Sequence, residues 1–166
     1  MEILKVENLS FKYPGQSASA VKNVSFSLNK GEMLCVCGET GCGKTSFLRM
    51  FKKELMPLGE KKGEIFFKGK NIEELSQYES AGSIGFVMQR TEQQIVTDMV
   101  WHELAFGLEN LGVSQSEISR RVAEIATYLG IEEWYDKKID SLSGGQKQLL
   151  NLASVMVMNP EVIILD

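Results

Sequence analysis

The stretch Gly38-Glu39-Thr40-Gly41-Cys42-Gly43-Lys44-Thr45 constrains the fold of this chain more than any other feature, because it fits the spacing GxxxxGK[ST]. An apolar run, Met33 to Cys37, precedes it and a helix-favouring run, Ser46 to Leu55, follows. That order has a physical purpose. Glycines let the backbone curl until successive N–H groups of residues 39–45 converge on a phosphate, and the following helix adds the positive end of its dipole. Lys44 is spaced to reach the β- and γ-phosphates of a polyphosphate, and the Thr45 hydroxyl to ligate Mg²⁺. The competing reading is a glycine-rich turn that binds nothing. Strand, loop and helix in the required order argue against it.

The flanking segments predict an α/β domain. Ile3, Val6 and Leu9 lead to Phe11-Lys12-Tyr13, and Val21, Val24, Phe26 and Leu28 precede a Lys30-Gly31-Glu32 turn, so residues 1–32 are expected to be mainly antiparallel strands. Met33–Cys37 is wholly apolar, the signature of a strand buried on both faces of a parallel sheet. Gly63–Phe67 predicts a strand ending in a Lys68-Gly69 turn, Asn71 a cap for a short helix over Ile72 to Tyr78, and Ile84–Met88 a strand that ends at Gln89. Residues 33–90 would form the phosphate-loop core. Residues 91–158 are expected to be helical. Val100–Asn110 carries Trp101, Leu104, Ala105 and Leu108 at helical spacing. Ser114 and Glu117 fit a capping box ahead of the Ile118, Val122, Ile125, Leu129 stripe, which Gly130 stops. Ser143 is placed to cap a third helix that Asn159-Pro160 breaks. Residues 159–166 close with Val162-Ile163-Ile164-Leu165-Asp166, a buried-strand run ending in a carboxylate.

Composition excludes more than it selects. The 166 residues suffice for one domain with a real core, 43% of them are hydrophobic and 24% charged, and the net charge of −4 gives no basic field for nucleic acid. No apolar run approaches the ~20 residues needed to cross a bilayer. Cys35, Cys37 and Cys42 crowd together; Cys35 and Cys37 share one face of the expected strand, where they read as small core residues, and their crowding points to a reducing, cytosolic setting.

Leu142-Ser143-Gly144-Gly145-Gln146 presents, in bare physical terms, a second helix start with free N–H groups for an anion of unspecified kind. Here the chain resembles the ATP-binding subunits of ABC transporters, whose signature is LSGGQ. The resemblance runs in order through Tyr13, Gly38–Thr45, Gln89, the signature and the Val162–Asp166 strand. It implies a phosphate-loop NTPase core with a parallel sheet, an N-terminal antiparallel β subdomain and a helical signature subdomain. It further implies ATP and Mg²⁺ as cofactors. Tyr13 would stack on adenine, the segment Gly38, Glu39, Thr40, Gly41, Cys42, Gly43, Lys44, Thr45 and Ser46 would bind the nucleotide, and Thr45, Gln89 and Asp166 would hold the metal, Asp166 through water. Read without the resemblance, Tyr13 is also compatible with a sheet-edge aromatic, Gln89 with a surface amide, and Asp166 with a strand-end turn cap.

The segment from Gln94-Ile95-Val96 through Glu103-Leu104-Ala105-Phe106-Gly107-Leu108-Glu109-Asn110 is similar to the energy-coupling-factor group of importers. Arg90-Thr91-Glu92 departs from that group's Asn-Pro-Asp, and Leu108 from a frequent proline. The resemblance implies a second ATP-binding subunit packed head to tail, transmembrane transporter subunits as partners, no nucleic acid, and a peripheral place on the cytoplasmic side of the membrane. The family's next residue after Asp166 is a catalytic Glu and a histidine follows later; His102 lies before the signature and does not replace it. The expectation is therefore a truncated domain that binds nucleotide and hydrolyses little of it. Two alternatives stand beside the transporter reading. A soluble ABC ATPase of DNA repair would need a long coiled-coil insertion, whereas Lys44 to Ser143 spans only 99 positions (143 − 44), and one of translation would carry a basic arm. A nucleotide-sensing interaction module is the other.

Overall fold

The computed structural model describes residues 1–166. The chain divides into two units, residues 1–80 together with Asp166, and residues 81–165.

The first unit is built on a four-stranded antiparallel sheet of order β2-β1-β3-β4, formed by β1 (Glu2–Lys12), β2 (Val21–Asn29), β3 (Glu60–Phe67) and β4 (Lys70–Asn71). β1 pairs with both neighbours, setting Val6 opposite Phe26 on one side and Ile65 on the other. β1 buries Ile3, Leu4, Val6, Leu9 and Phe11, and shifts of register against β2, one of them between Val6 and Leu9, break strict alternation along it. The β1–β3 ladder is irregular between Glu7 and Ser10, where Gly63 adopts φ +82 and a side chain would strike the carbonyls of Glu7 and Asn8. Helix α1 (Lys44–Arg49) packs here through Phe47, which meets Phe51 edge-on with centroids 4.9 Å apart and sits 6.2 Å from Phe26.

Two expectations fail in this unit. Residues 33–37 form no ladder with any strand and are mostly exposed, Met33 at 93%. An apolar run makes a buried strand only where neighbours pair with both its edges, and these 166 residues place none beside it. Cys35 and Cys37 are accordingly exposed thiols, not core residues. The helix after the loop ends at Arg49 and not near Leu55. Its last turns tighten into i→i+3 bonds, and Lys52 and Lys53 turn away to donate to the carbonyls of Ser80 and Leu75. Asn71 does cap, accepting from Glu73 N–H at 3.0 Å, but over a single 3₁₀ turn (Ile72–Glu74). Helix α2 (Gln77–Ser83) then carries the chain onward.

The second unit combines a parallel pair, β5 (Ile84–Val87) and β6 (Val162–Leu165), with α3 (Val100–Asn110), α4 (Gln115–Leu129) and α5 (Gly144–Met156). Leu104, Leu108, Ile118, Val122, Ala126, Leu150 and Ala153 form its core. Gly130, at φ 67, ends α4 as expected. Ser114 does not form its expected box. Its hydroxyl lies 3.3 Å from that of Ser116, while Glu117 is drawn to Arg120 and Arg121. Ser143 does form one, reciprocally with Gln146.

Candidate functional site

The phosphate loop runs from the unpaired segment 33–37 into α1. Gly43 is the helix N-cap at φ 100, and a side chain there would collide with the Ala20 carbonyl, so the backbone itself dictates glycine. Cys42 N–H donates to Glu39 O at 3.2 Å, while the amides of Gly41 and Gly43 have no backbone acceptor. They are donors available to an anion. Lys44 folds back over the loop, donating to the carbonyls of Gly38 (2.9 Å) and Glu39 (2.8 Å) and lying 3.8 Å from the Cys42 sulfur. Its ammonium is thereby held at the mouth of the loop. A cavity of about 460 Å³ opens beside it, bounded by Lys22, Cys35, Cys37, Gly43 and Lys44. The Cys35 and Cys37 sulfurs are 3.5 Å apart, and the neighbouring thiol pushes that of Cys35 above its ordinary pKa.

Two further predicted residues meet this loop. The Thr45 hydroxyl donates to Asp166 Oδ1 at 2.7 Å, joining positions 121 apart in sequence. A hydroxyl and a carboxylate in contact supply the hard oxygen ligands that Mg²⁺ takes. Tyr13 stands edge-on to Phe11, with centroids 4.9 Å apart, and its hydroxyl lies 2.8 Å from that of Ser46. The predicted aromatic is thus tied to the helix that the loop opens.

In the second unit, Leu142 is buried and anchors the signature, whereas Ser143, Gly144 and Gly145 are exposed at the start of the 13-residue α5. Ser143 N–H donates to Gln146 Oε1 at 2.8 Å, and Gln146 N–H to the Ser143 hydroxyl at 3.3 Å. A side chain at Gly144 or Gly145 would meet nothing within 4 Å. Gln89 is exposed, just past the end of β5.

Sequence reasoning missed the side chains that shape the Gln89 segment. Gln94 clamps it, donating to Phe86 O (3.1 Å) and accepting from Met88 N–H (2.8 Å). Glu103, buried in α3, accepts from Val96 N–H (3.1 Å), Thr97 N–H (2.9 Å) and the Thr97 hydroxyl (3.0 Å). Asn151, fully buried in α5, donates to Thr91 O at 3.2 Å. The available signal was a polar residue on an apolar helix stripe: Glu103 beside Leu104 and Asn151 beside Leu150.

A nucleotide-type phosphate loop whose threonine bonds a strand-end carboxylate, on α/β architecture, defines a phosphate-loop nucleotide-binding protein. The family model described as ABC transporter matches residues 21–166. A Bacillus anthracis relative provisionally named an ABC transporter ATP-binding protein is 43% identical over 98% of this chain and 29% of its own length. A Methanocaldococcus jannaschii energy-coupling factor transporter ATP-binding protein, EcfA, is 37% identical over 100% of this chain and 59% of its own. Among solved structures, cbiO1 of Clostridium perfringens, part of the ABC transporter complex cbiONQ, superposes with a TM-score of 0.84 at 34% identity, over 99% of this chain and 65% of that one. The chain belongs to the ABC transporter family. It spans under a third of the Bacillus relative's length and about 60% of that of EcfA.

Proposed function

We propose that this chain is the ATP-binding stretch of a transporter ATPase, most similar in kind to the energy-coupling-factor importers. The contact between Thr45 and Asp166 carries the reading, because it assembles oxygen ligands for Mg²⁺ at the mouth of a phosphate loop. The residues fit the nucleotide. Loop amides and Lys44 would grip the phosphates, Tyr13 would stack on adenine, and Thr45 and Asp166 would hold the metal together with Gln89. Bound Mg²⁺ would neutralise charge developing on the transferred phosphoryl group.

The exposed Ser143-Gly144-Gly145 turn is suited to the γ-phosphate of a nucleotide held by a second, head-to-tail ATP-binding subunit. The energy-coupling-factor assignment rests on the relatives named EcfA and cbiO1. Transmembrane transporter subunits would be the partners and the cytoplasmic face of the membrane the location; no helix here is long and apolar enough to cross a bilayer itself.

Affinity purification of the full-length protein from its own membranes tests the reading. Recovery of an integral membrane protein with a second ATPase is expected, together with Mg-ATP turnover. Recovery of DNA or ribosomes instead would overturn the transporter assignment in favour of the repair or translation class.

A further inference from the structure

We propose that Asn151 is a positioning residue for Gln89, a tie between the signature helix and the loop that carries Gln89; this rests on the metal-holding role given to Gln89 above. The Thr91 carbonyl is the hub of that loop. It accepts from Gln94 N–H at 3.0 Å, from Ile95 N–H at 3.2 Å and from the Asn151 side chain at 3.2 Å. The first two bonds close the turn on itself. The third is the only one of them that comes from α5.

Gln94 ties down the near side of the same loop through Phe86 and Met88. Gln89 thus lies between two anchors, one at the exit of β5 and one at Thr91, with its own side chain exposed. Moving either anchor moves Gln89. Asn151 belongs to α5, whose first turn is Gly144-Gly145-Gln146, about 10 Å away at the rise of an α-helix. A helix transmits displacement as a nearly rigid rod, so a shift of the signature turn on engaging a partner's nucleotide would reach Thr91 along this side-chain bond.

Packing alone does not explain an amide at this position. Asn151 has no exposed surface, and its Oδ1 is buried without a hydrogen-bond partner. An apolar side chain of the same size would avoid that cost. The reverse amide orientation would set Oδ1 against the Thr91 carbonyl, so the donor role is the one the surroundings allow.

The test uses the full-length protein with Asn151→Leu, which keeps the shape and removes both the donor and the orphaned acceptor, and Asn151→Asp, which keeps the shape and turns the donor into an acceptor. Hydrogen exchange of the nucleotide-free protein is read over residues 88–96 and over α5. Loss of the tie is expected to speed exchange of the Gln94 and Ile95 amides about threefold to tenfold in Asn151→Leu, and more in Asn151→Asp, with α5 as protected as before. In turnover assays the Mg²⁺ concentration for half-maximal rate is expected to rise by a similar factor, with the KM for ATP at saturating Mg²⁺ unchanged. Wild-type exchange over 88–96 in Asn151→Leu overturns the tie. A loosened loop with unaltered Mg²⁺ dependence overturns the positioning role. A wild-type protein that neither binds nor turns over Mg-ATP overturns the underlying reading of Gln89, and the exchange arm still decides whether the tie exists.

Discussion

The chain has two glycine-rich helix starts, and they use glycine for opposite reasons. At the phosphate loop, Gly43 is dictated from within: φ is 100, the Ala20 carbonyl occupies the space of a side chain, and no side chain caps the six-residue α1. At the signature, the chain itself makes no such demand. Ser143 and Gln146 cap the 13-residue α5 reciprocally, and both Gly144 and Gly145 face open space. A glycine that its own fold does not need, at a capped and exposed helix start, is explained by something that must come close from outside. On the function proposed above, the first turn would hold a ligand and the second would be approached by one held elsewhere.

This contrast predicts opposite outcomes for similar substitutions. Gly145→Ala should leave the fold intact, even adding about 0.5 kcal/mol to helix stability, while cutting ATP turnover of the assembled protein by about a hundredfold or more, because a misplaced contact in the reacting geometry is that costly. Calorimetric melting beside a turnover assay would show it; equal losses in both would erase the distinction. Lys44→Ala should weaken ATP binding about tenfold to a hundredfold, the range for losing charge-assisted bonds, without lowering the melting temperature. Gly43→Ala should destabilise the first unit by about 1–3 kcal/mol through backbone strain, visible in a denaturant titration. Ser143→Ala should cost about 1 kcal/mol for a lost cap. The smallest effect concerns Glu117, whose carboxyl Arg120 and then Arg121 hold at about 2, below the ordinary 4.5. A depressed carboxylate pKa contributes stability above pH 4.5 that fades as pH falls toward 2. Glu117→Gln should therefore lower the melting temperature slightly at neutral pH, where the contribution is complete, and converge on the wild type as pH falls toward 2.

Local chemistry explains which parts of this molecule were legible in its sequence. The 3.6-residue stripe of Val100–Asn110 predicts α3 to the residue, and Ser143 caps α5 as its place before the helix suggests, with Gln146 as the partner the structure adds. Thr45 and Asp166 were each singled out by a motif, but the hydrogen bond between them, across 121 positions, has no local signal. Where neighbours decide, local signals fail. Met33–Cys37 has the composition of a central strand and no strand to pair with. Ser114 and Glu117 have the spacing of a capping box, yet Arg120 and Arg121 outcompete the backbone for the carboxylate. Gln94, Glu103 and Asn151 act on loop carbonyls and amides that adjoin them only after folding, so their roles have no spacing to read.

The central claim is that Thr45 and Asp166 complete a Mg²⁺-nucleotide site at the phosphate loop. Titration calorimetry of ATP with and without Mg²⁺, on the wild type, Thr45→Ala, Asp166→Asn and the double variant, tests it most directly. The account predicts that Mg²⁺ tightens ATP binding in the wild type, that each single variant loses most of this gain, and that the double variant loses little more than either. Equal ATP affinity with and without Mg²⁺ in the wild type, or strictly additive losses, would contradict it.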